Sequence, residues 1–178
     1  MGRGEGGVAA GIENQLVDLL ARGPAVAAEQ AGFEALWISD HFHPWNDEQG
    51  NSPLVWSVIG GLSQSTSLPV TTGVTCPTMR IHPAIIAQAA ATLALVSDGR
   101  FVLGMGASGP QVIEGFHGVK YDAPIGRTRE IIEVCRKVWR RERLEHRGKF
   151  YTMPLTQEDG GTGLGKPLKL INHPVRER

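Results

Sequence analysis

The sequence predicts an α/β fold, and three observations carry that prediction. Gly-rich punctuation separates short β-like runs from longer helical ones. The order along the 178 residues is strand then helix, repeated four times. The last helical run, "RTREIIEVCRKVWRRE", sets Ile131, Val134, Cys135, Val138 and Trp139 on one apolar face. Alternation of this kind implies parallel strands joined by right-handed crossovers. The pattern alone fits a closed barrel and an open sheet equally, and both place their chemistry at the C-terminal ends of the strands.

Taken in order, "VAAGI" is a weak first strand and "LVDLLARGPAVAAEQAG" a helix restarted at Pro24, where a missing N–H costs little in a first turn. "EALWISD" is a short, mostly apolar strand. "SPLVWSVIGGLSQS" reads as a helix with Pro53 near its start, and "LPVTTGVT" as a β-rich run. "HPAIIAQAAATLALVSDG" is an Ala-rich helix with a glycine stop, followed by the strand "RFVLGMG". After the amphipathic helix, "LEHRGKFYTM" is expected to form a hairpin with Arg147 and Gly148 near its turn, and "DGGTGLGKP" a flexible loop.

Length and charge narrow the function. The chain is sized for a single domain over residues 1–178. With 18 basic and 18 acidic side chains it has no net field to recruit phosphate backbones or anionic lipid, so neither nucleic acid nor a membrane is an expected partner. The start "MGRGEGGVAA" lacks a signal-peptide core, and the two cysteines, Cys76 and Cys135, form no close metal-ligand pair or disulfide framework. A cytoplasmic protein acting on a small molecule is expected. The nine basic and four acidic residues from Arg127 to Lys149 read as a solvated outer face.

Three loops at strand ends could carry chemistry. In "RFVLGMGASGP", Gly104, Gly106 and Gly109 match G-x-G-x-x-G. A dinucleotide fingerprint needs a long helix after the third glycine and an acid at the end of the next strand, about 20 residues on. Here Pro110 and a segment broken by Gly115 and Gly118 come next, and the acid at that distance, Glu130, falls inside the amphipathic helix. The glycines mean instead that backbone passes close to something, a packed element or the flat ring of a ligand.

In "SDHFHPW", Asp40 and His41 end a strand. His41 is the best acid or base candidate, Asp40 could orient it or bind a ligand group, and Trp45 offers a flat wall. The H-x-H pair His41 and His43, with His82 as a further candidate, would also allow a metal-dependent barrel hydrolase. A plain polar loop anchored by Trp45 is the bland alternative. In "TTGVTCPTMR", Gly73 marks a bulge or close approach.

"GFEALWISDHFHPW", "GVTCPTMRIHPAIIAQAAATLALVSDGRFVLGMG" and "RTREIIEVCRKVW" resemble the luciferase-like superfamily of flavin and deazaflavin barrel enzymes. The first two are most similar to the branch of coenzyme F420-dependent glucose-6-phosphate dehydrogenases. From "ASGPQVIEGFHG" onward, including "GTGLGKPLK", the chain is more similar to another F420-linked branch. The resemblance implies a (β/α)₈ TIM-type barrel, present as an incomplete N-terminal half of about four β/α units with a small inserted hairpin, since such a barrel takes about 250 residues.

By resemblance, Asp40 and His41 contact cofactor and substrate, and Trp45 flanks the reacting centre. Gly73 and Val74 form a non-prolyl cis-peptide bulge behind the ring, with Thr75 and Cys76 continuing that run. Gly106, Ala107, Ser108 and Gly109 leave room for the ring at the fourth strand end. The implied activity is hydride transfer between an organic substrate and F420, with His41 as base or charge stabiliser and no resident metal. An FMN-dependent monooxygenase is the alternative within the family, and an inactive barrel fragment the non-enzyme one. The complete barrel is expected to be a homodimer. Gly109 stands where the sugar-phosphate branch carries a proton-donating glutamate, so glucose 6-phosphate is not the implied substrate.

Overall fold

The computed structural model describes residues 23–41, 48, 52–77 and 81–175. The weak strand "VAAGI" and the start of the first helix lie outside them. The described elements are α1 (Gly23–Gln30), β1 (Leu36–Ile38), α2 (Val55–Leu62), β2 (Val70–Thr72), α3 (Pro83–Val96), β3 (Phe101–Val102), α4 (Pro110–Gly115), α5 (Pro124–Trp139), β4 (His146–Arg147) and β5 (Thr152–Met153). The alternation expected from the sequence is present, with strands shorter than the runs that announced them.

The chain divides into two compact units. The first runs through Thr75 and resumes over Leu93–Met105; the second holds Cys76–Thr92 and Gly106–Arg178. In the first unit β1, β2 and β3 form one sheet in that order, all parallel. Register aligns Leu36 with Val70 and Val70 with Phe101, so these buried side chains share a face. One residue on, Trp37, Thr71 and Val102 form the opposite row, because side chains alternate along a strand.

Val55, Val58, Ile59 and Leu62 are the buried stripe of α2, and Trp56 sets its ring 5.8 Å from that of Phe101 on β3. Arg100 fastens the segment after α2 by donating to the carbonyls of Ser63, Thr66 and Leu68 at 2.8, 2.7 and 3.1 Å. A cation at a helix C-terminus also suits the negative end of the helix dipole.

The second unit is built on α5 and the first part of α3. Ile131, Val134, Cys135 and Val138 are buried, as their spacing predicts. The indole of Trp139 donates to the Ala87 carbonyl at 2.9 Å, which ties α5 to α3. Burial pushes the Cys135 thiol up to about 12, so it behaves as a small apolar side chain. The expected hairpin forms between β4 and β5, with His146 opposite Met153 and the Gly148 amide donating to the Tyr151 carbonyl at 2.9 Å. Among the described residues no helix is long and apolar enough to cross a membrane.

Candidate active site

The strand ends of the first unit are assembled by backbone before any side chain takes part. The Gly73 amide donates to the Ile38 carbonyl at 2.8 Å, joining the end of β1 to the end of β2. The next peptide bond, Gly73–Val74, is cis, the feature that the resemblance assigns to this position. Pairing between β2 and β3 lapses after Thr71 opposite Val102 and resumes where Thr75 bridges Met105. Between those points Thr72, Gly73 and Val74 stand against Leu103 and Gly104 alone. One extra residue on one side is a β-bulge, which bends the strand and re-aims the residues beyond it.

Two threonines lock this bulge. Thr72 Oγ1 donates to the Gly104 carbonyl at 2.9 Å and accepts from the Gly104 amide at 3.0 Å. The same carbonyl accepts the Thr75 amide at 2.9 Å. A Cβ on Gly104 would lie 2.0 Å from the Thr72 carbonyl oxygen, so only glycine fits. The first glycine of the G-x-G-x-x-G run is thus explained by a neighbouring strand. Gly73 is similarly covered: a Cβ there would meet the Trp37 ring at 2.9 Å.

Beyond the bulge sit the groups that could do chemistry. Asp40 is buried, at 7 % exposure, and its Oδ2 accepts the Thr75 hydroxyl at 2.8 Å. His41 comes next, half-buried, with its carbonyl accepting the Ser52 hydroxyl at 2.6 Å. Val74 is 39 % exposed and presents an apolar side chain at the cis bulge. Asp40, His41, Gly73, Val74 and Thr75 are therefore brought together at the C-terminal ends of β1 and β2, where parallel sheets carry their sites. A carboxylate and an imidazole beside an apolar step can bind a polar heteroaromatic edge and move a proton.

The other expected site residues belong to the second unit or lie outside the described residues. Cys76 opens the second unit and is half-buried. Gly106, Ala107, Ser108 and Gly109 also belong to that unit; Ser108 is exposed with a positive φ of 60°, and its carbonyl accepts the Tyr121 hydroxyl at 2.9 Å. Gly109 is extended and opens the six-residue α4. Trp45 and His43 lie outside the described residues. Among the described residues no group of three or more His, Cys, Asp or Glu side chains is placed to hold a metal ion.

A second buried carboxylate corrects the reading of the basic stretch as an outer face throughout. Glu130 of α5 is buried, and its Oε1 meets His146 Nε2 at 2.9 Å. It also accepts the Phe150 and Tyr151 amides at 3.0 and 2.8 Å. Burial raises its carboxyl, but the bonds from His146, Tyr151 and Phe150 outweigh that and hold it below its ordinary value. A Cβ on Gly148 would lie 1.8 Å from Glu130 Oε1, so this glycine admits the carboxylate under the hairpin. The amphipathic pattern concealed Glu130, whereas Gly73 within "TTGVT" did mark the bulge and close approach found there.

Residues 20–175 match the family model of luciferase-like monooxygenases. The chain belongs to this family. A Mycobacterium tuberculosis protein named as a putative coenzyme F420-dependent oxidoreductase is 43% identical over 151 residues, covering 84% of this chain and 41% of its own length. An F420-dependent glucose-6-phosphate dehydrogenase of Segniliparus rotundus is 39% identical over 131 residues, covering 71% of this chain and 39% of its own. Among solved structures, an F420-dependent secondary alcohol dehydrogenase in complex with an F420-acetone adduct aligns with a TM-score of 0.73 at 29% identity, over 91% of this chain and 46% of that one. This luciferase-like chain thus spans less than half the length of each of these relatives. Its parallel α/β architecture is part of the TIM-type barrel of the family.

Proposed function

We propose that this chain is part of a coenzyme F420-dependent oxidoreductase that exchanges hydride with a small organic substrate. The observation that carries the reading is the strand-end cluster of Asp40 and His41 after β1 with Val74 after β2, in a chain whose curated relatives are named for F420 dependence. The residues present fit a deazaflavin ring. Val74 offers an apolar step against a ring face, Asp40 an acceptor for a ring edge, and His41 an imidazole on the residue that follows Asp40. When bound, the deazaflavin supplies a two-electron hydride acceptor or donor that reacts poorly with oxygen.

His41 then holds or takes the proton of a substrate hydroxyl, with its backbone steadied by Ser52. Asp40 orients the bound ring. The extended Gly109, with no carboxylate at the end of that loop, favours a substrate other than a sugar phosphate. A homodimer of the complete barrel in a reducing cytoplasm suits the two thiols and the neutral charge.

The deciding experiment is a fluorescence titration of the intact protein with F420 and, separately, with FMN. Saturable binding of F420, with none of FMN, is the expected outcome. Preference for FMN with oxygen consumption, or no binding of F420, would overturn the reading.

A further inference from the structure

Thr75 is wholly buried, at 0 % exposure, so its side chain has no surface to offer a ligand. What it does offer is a link between two strand ends. Its amide donates to the Gly104 carbonyl at 2.9 Å, and it bridges Met105 in parallel, which fixes its backbone to the run after β3. Its hydroxyl donates to Asp40 Oδ2 at 2.8 Å, which reaches the run after β1. Thr72 prevents the anchor from sliding, because its hydroxyl closes on Gly104 in both directions.

We propose that Thr75 is a positioning residue that acts on the cofactor through Asp40, by fixing which way the buried carboxylate faces at the strand ends. The inference rests on the F420 reading above. Hydrogen bonds to a carboxylate in a water-poor setting are short and directional, so a buried hydroxyl on Oδ2 favours one orientation of the group. Removing it takes a directional donor away from Oδ2 of a buried carboxylate. A residue that touched the ring directly would need exposure that Thr75 lacks.

The test uses the intact protein with F420 as the probe. Thr75→Val removes the hydroxyl at nearly constant volume, and Thr75→Ser retains it. The expected result is F420 binding about tenfold weaker in Thr75→Val, with Thr75→Ser within about threefold of the parent. Combined with Asp40→Asn, Thr75→Val should cost little more, since the two changes act on one interaction. Thr75→Ala carries the same expectation if the valine variant fails to fold. Unchanged binding in Thr75→Val, a loss in Thr75→Ser as large as in Thr75→Val, or fully additive losses with Asp40→Asn would overturn the positioning role. A parent protein that does not bind F420 overturns the functional reading and this inference together, whereas a binding parent with an unaffected Thr75→Val overturns the inference alone.

Discussion

Asp40 and Glu130 are both buried carboxylates, one at a strand end of the first unit and one inside the second, and their surroundings differ in kind. Glu130 is enclosed: an imidazole and two backbone amides point at it, and a glycine takes the place where a side chain would collide with it. Asp40 receives a hydroxyl from the neighbouring strand end, next to a half-buried histidine and an exposed valine. A carboxylate surrounded by donors from its own hairpin holds that hairpin in place. One oriented at the C-terminal end of a parallel strand is placed to meet a ligand.

The comparison breaks most visibly at Glu130. Replacing it by alanine strands the His146 imidazole and two amides, and is expected to cost about 3–5 kcal/mol of stability, read as a lowered Tm. Gly148→Ala should cost about 1–3 kcal/mol by forcing the carboxylate aside, with faster hydrogen exchange at the Phe150 and Tyr151 amides. Asp40→Asn should behave oppositely, leaving the Tm nearly unchanged while weakening F420 binding about tenfold, close to 1.4 kcal/mol. A large Tm loss with intact binding would place Asp40 with Glu130 as a structural group.

Acid sharpens the same contrast with the smallest effect. The Glu130 carboxyl lies below its ordinary value of 4.5, so its stabilisation is fully present above pH 4.5 and is lost as the pH falls through the lowered value. Tm measured against pH should show this acid limb in the parent and lose it in Glu130→Gln. An identical limb in both proteins would assign the acid sensitivity to other groups.

Much of this was legible in the chain itself, and unevenly. The buried face of α5 follows from apolar spacing, because a helix repeats every 3.6 residues whatever surrounds it. The hairpin was signalled by Gly148 near its turn, although the reason for that glycine is the Glu130 carboxylate rather than the turn alone. The G-x-G-x-x-G run was correctly set apart from a dinucleotide site, but the partner crowding Gly104 was hidden. It is the Thr72 carbonyl, 32 residues earlier, and separation along the chain says nothing of distance in space. Thr75 read as one more residue of a ring-binding run; its complete burial changes how it can act.

Local pattern therefore determined the alternation of strand and helix, the apolar faces and the polar residues after β1, since each depends on neighbours within a few positions. The tertiary structure decided the register of β2 against β3, the bulge that the register forces, and which hydroxyl meets which carboxylate. Those depend on groups from separate strands meeting at 2.8 to 3.0 Å, a condition that no single stretch of sequence contains.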